Sequence, residues 1–369
     1  MYELEFERIF RRRESLFSQD MEDNHRELAA RISKSRILII GAAGSIGAAF
    51  VKEVVRFRPA ALHLVDISEN NLVEVVRDLR SSNIEISSDF QTYAIGLGTA
   101  EFDAFLGQQA WDYDYCLNFS ALKHVRSERD PYTLMRMVDT NVLALNDLLG
   151  YLADRPIQKF FSVSSDKAVN PASIMGATKA FMEKVMILHS DKTPCSTSRF
   201  ANVAFSDGSL LHGFNKRIEK RQPISAPSDV RRYFISHEEA GSLCLLSCFL
   251  GDNRDNYFPG MDRDLDMFTF SEIAKIFLEA RGLSPLILSS EAEAKEACRN
   301  IDHSTREWPC YFSGSDTTGE KPYEEFYTEA DDVDFDRYHN IGVIRTDALD
   351  QRESETLNDV LDTIGQMRE

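Results

Sequence analysis

Asp166 and Lys167 stand side by side directly after the apolar run KFFSVSS. A carboxyl group and an amine held together can deliver one proton and remove another within a single reaction. Adjacent Asp and Lys also form loop ion pairs and helix caps, so the neighbours must decide between the two. Ser164 and Ser165 precede the pair. Met175 and Lys179 follow it four residues apart, which places both on one face of the next helix. All these polar groups then gather at the carboxyl end of one buried strand.

A second cluster lies earlier. Gly41-Ala42-Ala43-Gly44-Ser45-Ile46-Gly47 follows the run ILII and opens a helix-like stretch. Between a strand and a helix, such glycines permit a tight turn, close approach to a pyrophosphate, and close packing of helix on strand. The helix N-terminus offers its first amides and a partial positive charge to an anion. Asp66 ends the next strand, where a carboxylate accepts the adenosine ribose hydroxyls of a dinucleotide and repels a 2′-phosphate. The spacing therefore predicts NAD, held by Gly41, Gly44, Ser45, Ile46, Gly47 and Asp66. A cap on the helix after Asp66 is the bland alternative. An acidic residue after the third strand is missing, with Leu97 and Gly98 in its place.

The elements that must position these groups alternate. Apolar runs ILII, LHLV, YCLNF, KFFSVSS and a stretch near Ser196 to Phe200 are separated by helix-length segments. Strands buried on both faces and alternating with helices predict an α/β fold of Rossmann type: a doubly wound parallel sheet with a smaller mixed α/β lobe. Residues 1–35 read as a charged helical extension, solvated or in contact with another subunit. Residues 36–204 form the dinucleotide-binding domain. Residues 205–369 form mainly the smaller lobe, with some segments returning to the first domain.

The formal net charge of −18 argues against a broad nucleic-acid footprint. No apolar run approaches the roughly 20 residues that span a bilayer, and charges interrupt the start of the chain, so membrane insertion is not expected and the cytoplasm is. The six cysteines show no CxxC spacing, and no metal site is expected. Cys244 and Cys248 share a helix face in an apolar run and read as buried structural thiols.

SSDKAVNPASIMGATK resembles the active-site segment of nucleotide-sugar 4,6-dehydratases, extended short-chain dehydrogenases that serve polysaccharide and glycoconjugate synthesis. NFSALKHVRSERDP, with Asn141 in the helix beyond it, RFANVAFSDGSLLHGFNKRI, VRRYFISHEEA and TGEKPYEEFY resemble further segments of that family. The resemblance implies Asp166 as general acid and Lys167 as base. It implies Lys179 on the nicotinamide ribose and Ser165 (or Ser164) on the C4 oxygen. In the smaller, substrate-binding lobe it implies Asn202 and Arg232 on the diphosphate, and it places Lys123 beside nicotinamide and sugar. Met175 stands where most of the superfamily carries tyrosine. A thioether cannot transfer a proton, and one dehydratase subgroup shares the methionine. Asp316 falls near a position where relatives hold a phosphate-binding arginine.

The substrate expectation is UDP-N-acetylglucosamine, with a homo-oligomeric enzyme. A 4-epimerase or C5-inverting dehydratase of the same fold is one alternative. A non-catalytic protein that binds NAD and a sugar nucleotide is another.

Overall fold

The computed structural model describes residues 2–108, 111–260, 267–302, 304–315 and 323–368. The chain divides into two compact units. One holds residues 17–200, 238–260 and 325–369, the other residues 1–16, 201–237 and 261–324.

The larger unit is built on a nine-stranded sheet. Its first six strands are β1 (Arg36–Ile40), β2 (Ala61–Val65), β3 (Asp89–Tyr93), β4 (Tyr115–Asn118), β5 (Lys159–Ser165) and β6 (Cys195–Phe200). They pair in parallel in the order β3-β2-β1-β4-β5-β6, which is the doubly wound Rossmann arrangement. The strand Asp255–Pro259 adds in parallel beyond β6, and Ile341–Arg345 and Asp332–Asp334 complete that edge antiparallel. β1, β2 and β4 are buried almost throughout because helices cover both faces of the sheet. β3 at the edge is half exposed and carries no continuous apolar run, so its sequence marks it weakly.

On one face, Leu38, Phe160, Leu145, Leu149, Met182 and Leu361 share a core. These join the sheet to the helices Ala144–Leu152, Ile174–His189 and Gln351–Arg368. On the other face, Phe50 stacks on Phe249, and Gly241 allows the helix His237–Leu250 to approach the carbonyl of Ala49. Cys244 and Cys248 are buried there, and burial pushes both thiols up, as structural thiols require.

Among the described residues, the smaller unit has two three-stranded sheets. One joins Asn202–Val203, Arg231–Ile235 and Met267–Thr269; the other joins Ile224–Pro227, Glu307–Ser313 and Ser284–Ile287. Trp308 and Cys310 lie in its core with Phe214, Phe234 and Phe277, so the aromatic segment near residue 308 serves packing.

The N-terminal extension departs from expectation. It is helical, over Tyr2–Phe10 and Ser18–Ile32, but it is not one solvated extension. Phe6, Ile9 and Phe10 enter the core of the smaller unit, where Phe10 stacks on Phe234. Phe17, Leu28 and Ile32 are buried in the larger unit. Each such side chain contributes roughly 1.5–3 kcal/mol when fully buried, enough to outweigh the pull of the intervening charges toward water. Arg12 adds a hydrogen bond to the carbonyl of Phe234. The division between the two compact units falls after Leu16.

Candidate active site

The glycine loop sits at the carboxyl end of β1, beside the carboxyl end of β4. Gly41 has φ +73°, and a Cβ there would lie 2.5 Å from the amide nitrogen of Ser120 in the loop after β4. A Cβ on Gly47 would lie 2.2 Å from the carbonyl oxygen of Gly41. Both glycines are thus demanded by the chain itself. Gly44 is different: a Cβ there meets nothing nearer than 3.6 Å. Gly44, Ser45 and Ile46 are accessible while Gly41 and Gly47 are buried. Gly44 opens the helix Ser45–Val55 and offers it no side-chain cap. The loop therefore leaves room over its backbone at the position where a pyrophosphate would approach a helix N-terminus. The residues present fit a dinucleotide.

Asp66 is buried and braces this loop. Its Oδ2 accepts from the amide of Ala43 at 2.9 Å and its Oδ1 from the amide of Ser68 at 2.8 Å. The following helix is capped by Ser68, which accepts from Asn71. Asp66 is therefore not that helix's N-cap, and its oxygens keep lone pairs for further donors.

β5 delivers the second cluster. Ser165 ends the strand, and its Oγ accepts from the amide of Lys167 at 3.0 Å, starting a 3-10 turn over Asp166–Ala168. That bond leaves the Ser165 hydroxyl proton available. Ser164 is more deeply buried, and its Oγ has no hydrogen-bond partner among the described residues. Asp166 is buried. Lys167 reaches back to it with Nζ 3.1 Å from Oδ1 and 3.2 Å from Oδ2, while its own side chain is partly exposed. This ion pair has an internal tautomer. Moving one proton along the 3.1 Å bond converts ammonium and carboxylate into amine and carboxylic acid.

Ser173 caps the helix Ile174–His189 by accepting from Gly176. Gly176 lets that helix press on the Asp166–Ala168 turn, because a Cβ would lie 2.4 Å from the carbonyl oxygen of Lys167. Met175 is buried, and its amide donates to Glu128 at 3.1 Å. One turn on, Lys179 is buried and donates to the carbonyl of Val163 at 2.9 Å. Burial pushes its ammonium down to about 8, partly opposed by the charge of Glu183.

Asn141 joins these parts. It lies in a π-helical turn, Asp139–Leu143, a distortion that often marks functional sites. Its amide exchanges hydrogen bonds with the backbone of Leu122 after β4 and donates to Thr178 Oγ1. Lys123, exposed, is the next residue of that loop. Glu128 and Gly176 were not singled out by sequence reasoning. The signal for Gly176 was its place inside the motif; Glu128 offered none, because its partner is remote in sequence.

Asn202 and Arg232 belong to the smaller unit. They lie on paired parallel strands, with Asn202 opposite Phe234. Arg232 is buried and bonds to the carbonyl of Arg231, whereas Arg231 is exposed. Asn202 meets Glu324, a buried carboxylate that sequence reasoning also missed. Asp316 and the GEK run beside it lie outside the described residues. Among the described residues, no cluster of His, Cys, Asp and Glu could hold a metal ion, and no helix is long and apolar enough to cross a membrane.

The family described as "Polysaccharide biosynthesis protein" matches residues 37–346. The chain belongs to that family. It is 34% identical over 249 residues to an uncharacterized membrane protein, MJ1061, of Methanocaldococcus jannaschii, covering 64% of this chain and 71% of the other. It is 27% identical over 212 residues to a UDP-N-acetylglucosamine 4,6-dehydratase (inverting) of Campylobacter jejuni, covering 55% of this chain and 60% of the other. It spans less than half the length of two further curated relatives, 45% and 46%. In fold it matches DesIV, a dTDP-glucose 4,6-dehydratase from Streptomyces venezuelae solved with NAD, at a TM-score of 0.61 and 17% identity, covering 79% of this chain and 88% of that one.

Proposed function

We propose that this protein is an NAD-dependent 4,6-dehydratase of a nucleotide-activated sugar, with UDP-N-acetylglucosamine as substrate and a 4-keto-6-deoxy sugar nucleotide as product. The observation that carries the proposal is the Asp166–Lys167 pair at the carboxyl end of β5, backed by buried Lys179. The family match and the named relatives support the substrate class.

NAD, when bound, supplies the two-electron acceptor and donor for hydrogen on carbon. Gly44 with the start of its helix would receive its pyrophosphate, Asp66 its adenosine ribose, and Lys179 its nicotinamide ribose. The protein's own groups handle protons. Ser165 donates its free hydroxyl proton toward the C4 oxygen. Lys167, as amine beside the Asp166 carboxylate, takes the C4 hydroxyl proton and passes it to Asp166, which frees the amine for the next step; buried Met175 offers no proton-transfer group. A ketone at C4 then makes the C5 proton removable. Lys167 removes it, and Asp166 in its acid form protonates the departing C6 hydroxyl. Lys167 finally returns its proton to C5, which leaves the pair as amine and carboxylate, as at the start; the C4 hydroxyl proton has left in the water. The sum is loss of one water. The amine–acid tautomer of the pair is the form that starts elimination, which explains why acid and base stand in contact.

Incubation of purified protein with UDP-N-acetylglucosamine and no added reductant tests the reaction. A product lighter by one water, with a C6 methyl and a C4 ketone, is expected. Inertness toward a panel of sugar nucleotides, with NAD bound, would favour the non-catalytic reading that Met175 motivates.

A further inference from the structure

Asn202 carries two amide protons, and both are used inside the protein. Nδ2 lies 2.6 Å from Glu324 Oε1 and 3.3 Å from the carbonyl oxygen of Tyr233. The second oxygen of Glu324 accepts from the amide of Tyr233 at 2.6 Å. The three residues close a ring, and Glu324 at its centre is buried. The amide cannot be turned over. The reverse orientation would set the Asn202 oxygen against Glu324 at 2.6 Å and against a carbonyl, three acceptors with no proton among them. Asn202 itself is partly exposed. Oδ1 is therefore the only amide atom it has left to offer.

We infer that Glu324 is a positioning residue that locks Asn202 as a hydrogen-bond acceptor, so that Asn202 recognises a hydroxyl or N–H group of the nucleotide sugar and not a phosphate oxygen. The inference rests on the proposed substrate class and differs from the diphosphate contact that family resemblance implies for this position. A phosphate oxygen only accepts, and an amide with both protons committed has nothing to donate to it. Glu324 also ties down the strand that carries Arg232, through the amide of Tyr233. Arg232 can thus serve the anionic part of the ligand while Asn202 reads a donor.

Glu324→Gln probes the lock. The backbone amide of Tyr233 still needs the side-chain oxygen, so the new NH2 group faces Asn202. Asn202 must then turn over and present its protons instead of its oxygen. With UDP-N-acetylglucosamine as probe, the dissociation constant should rise about tenfold. In an Asn202→Ala background the same change should have less than a twofold effect, because the residue acted on is gone. Equal losses in both backgrounds would show a merely structural role and overturn the inference.

The side-chain amide resonances of Asn202, read with selective 15N-asparagine labelling in the ligand-free full chain, give a measurement independent of the substrate. E324Q should shift them, and in the unsubstituted protein both protons should exchange slowly with solvent. Unmoved resonances, or fast exchange in the unsubstituted protein, would sink the lock even if E324Q folds poorly. Should UDP-N-acetylglucosamine fail to bind at all, the proposed substrate fails, and the resonances alone decide the role of Glu324.

Discussion

Gly176 stands where a single added carbon would come within 2.4 Å of the carbonyl oxygen of Lys167. The helix that carries Met175 and Lys179 and the turn that carries Asp166 and Lys167 are therefore seated directly on one another. Gly176→Ala must push them apart, and the obstacle is backbone, which cannot swing aside. A loss of about 1–3 kcal/mol in stability is expected from overpacking. Turnover should fall more steeply than that loss explains, by about 100-fold, because a 1 Å displacement of a catalytic group costs that much. Thermal unfolding and product formation on the same sample check this. A variant destabilised but fully active would refute it.

Asp166→Asn keeps the shape of the acid but removes its proton. Dehydration should fall by about 10²–10⁴-fold, the usual value of a general acid. Oxidation at C4 should survive, visible as absorbance of reduced nicotinamide on mixing with substrate. Lys167→Ala should abolish both, since no other base is proposed at C4. If Asp166→Asn abolishes nicotinamide reduction as completely as Lys167→Ala does, the division of labour is wrong.

Lys179 gives a pH-dependent prediction. Its ammonium loses its proton near pH 8 in the folded protein, against about 10.4 in an unfolded chain. The folded value is the lower one, so the unfolded state binds the extra proton between these limits. The charge opposes folding fully below pH 8, by on the order of 3 kcal/mol, and this opposition fades as pH rises to about 10.4. Lys179→Met should therefore melt above the parent at neutral pH, less about 1 kcal/mol for the lost bond to Val163. The gap should close toward the alkaline limit, while turnover is lost throughout. A gap that widens with pH would contradict the assignment.

The glycines of the loop after β1 should separate. Gly47→Ala drives a carbon into the Gly41 carbonyl at 2.2 Å and should destabilise the fold by several kcal/mol. Gly44 has φ −72° and ψ 165°, open to any residue, and space around its Cβ position. Gly44→Ala should melt within about 0.5 kcal/mol of the parent yet bind NAD at least tenfold more weakly. Calorimetric titration with NAD reads the difference. Unchanged NAD affinity would remove the pyrophosphate from this loop.

Much was already written along the chain. β1, β2, β4 and β5 lie where apolar-rich runs precede Gly41, Asp66, Phe119 and Asp166, because strands buried on both faces are rich in apolar residues; β6, CSTSRF, is buried with its Ser196 and Thr197 hydroxyls bonded to backbone carbonyls. The glycine loop and the Ser165-to-Lys179 segment were legible for a similar reason: their partners are near in sequence and their spacing follows from local geometry. Only the tertiary structure decided the rest. β3 is an edge strand with a half-exposed face, so no apolar run announces it. The first 35 residues looked like one charged helical extension, yet Phe10 and Phe17 are buried in different units. Hydrophobicity says that a side chain seeks cover and does not say which core supplies it. Asn202 and Glu324 are 122 positions apart. Composition could suggest that each is polar and useful, but the direction of a hydrogen bond is a property of the pair, and folding alone brings the pair together.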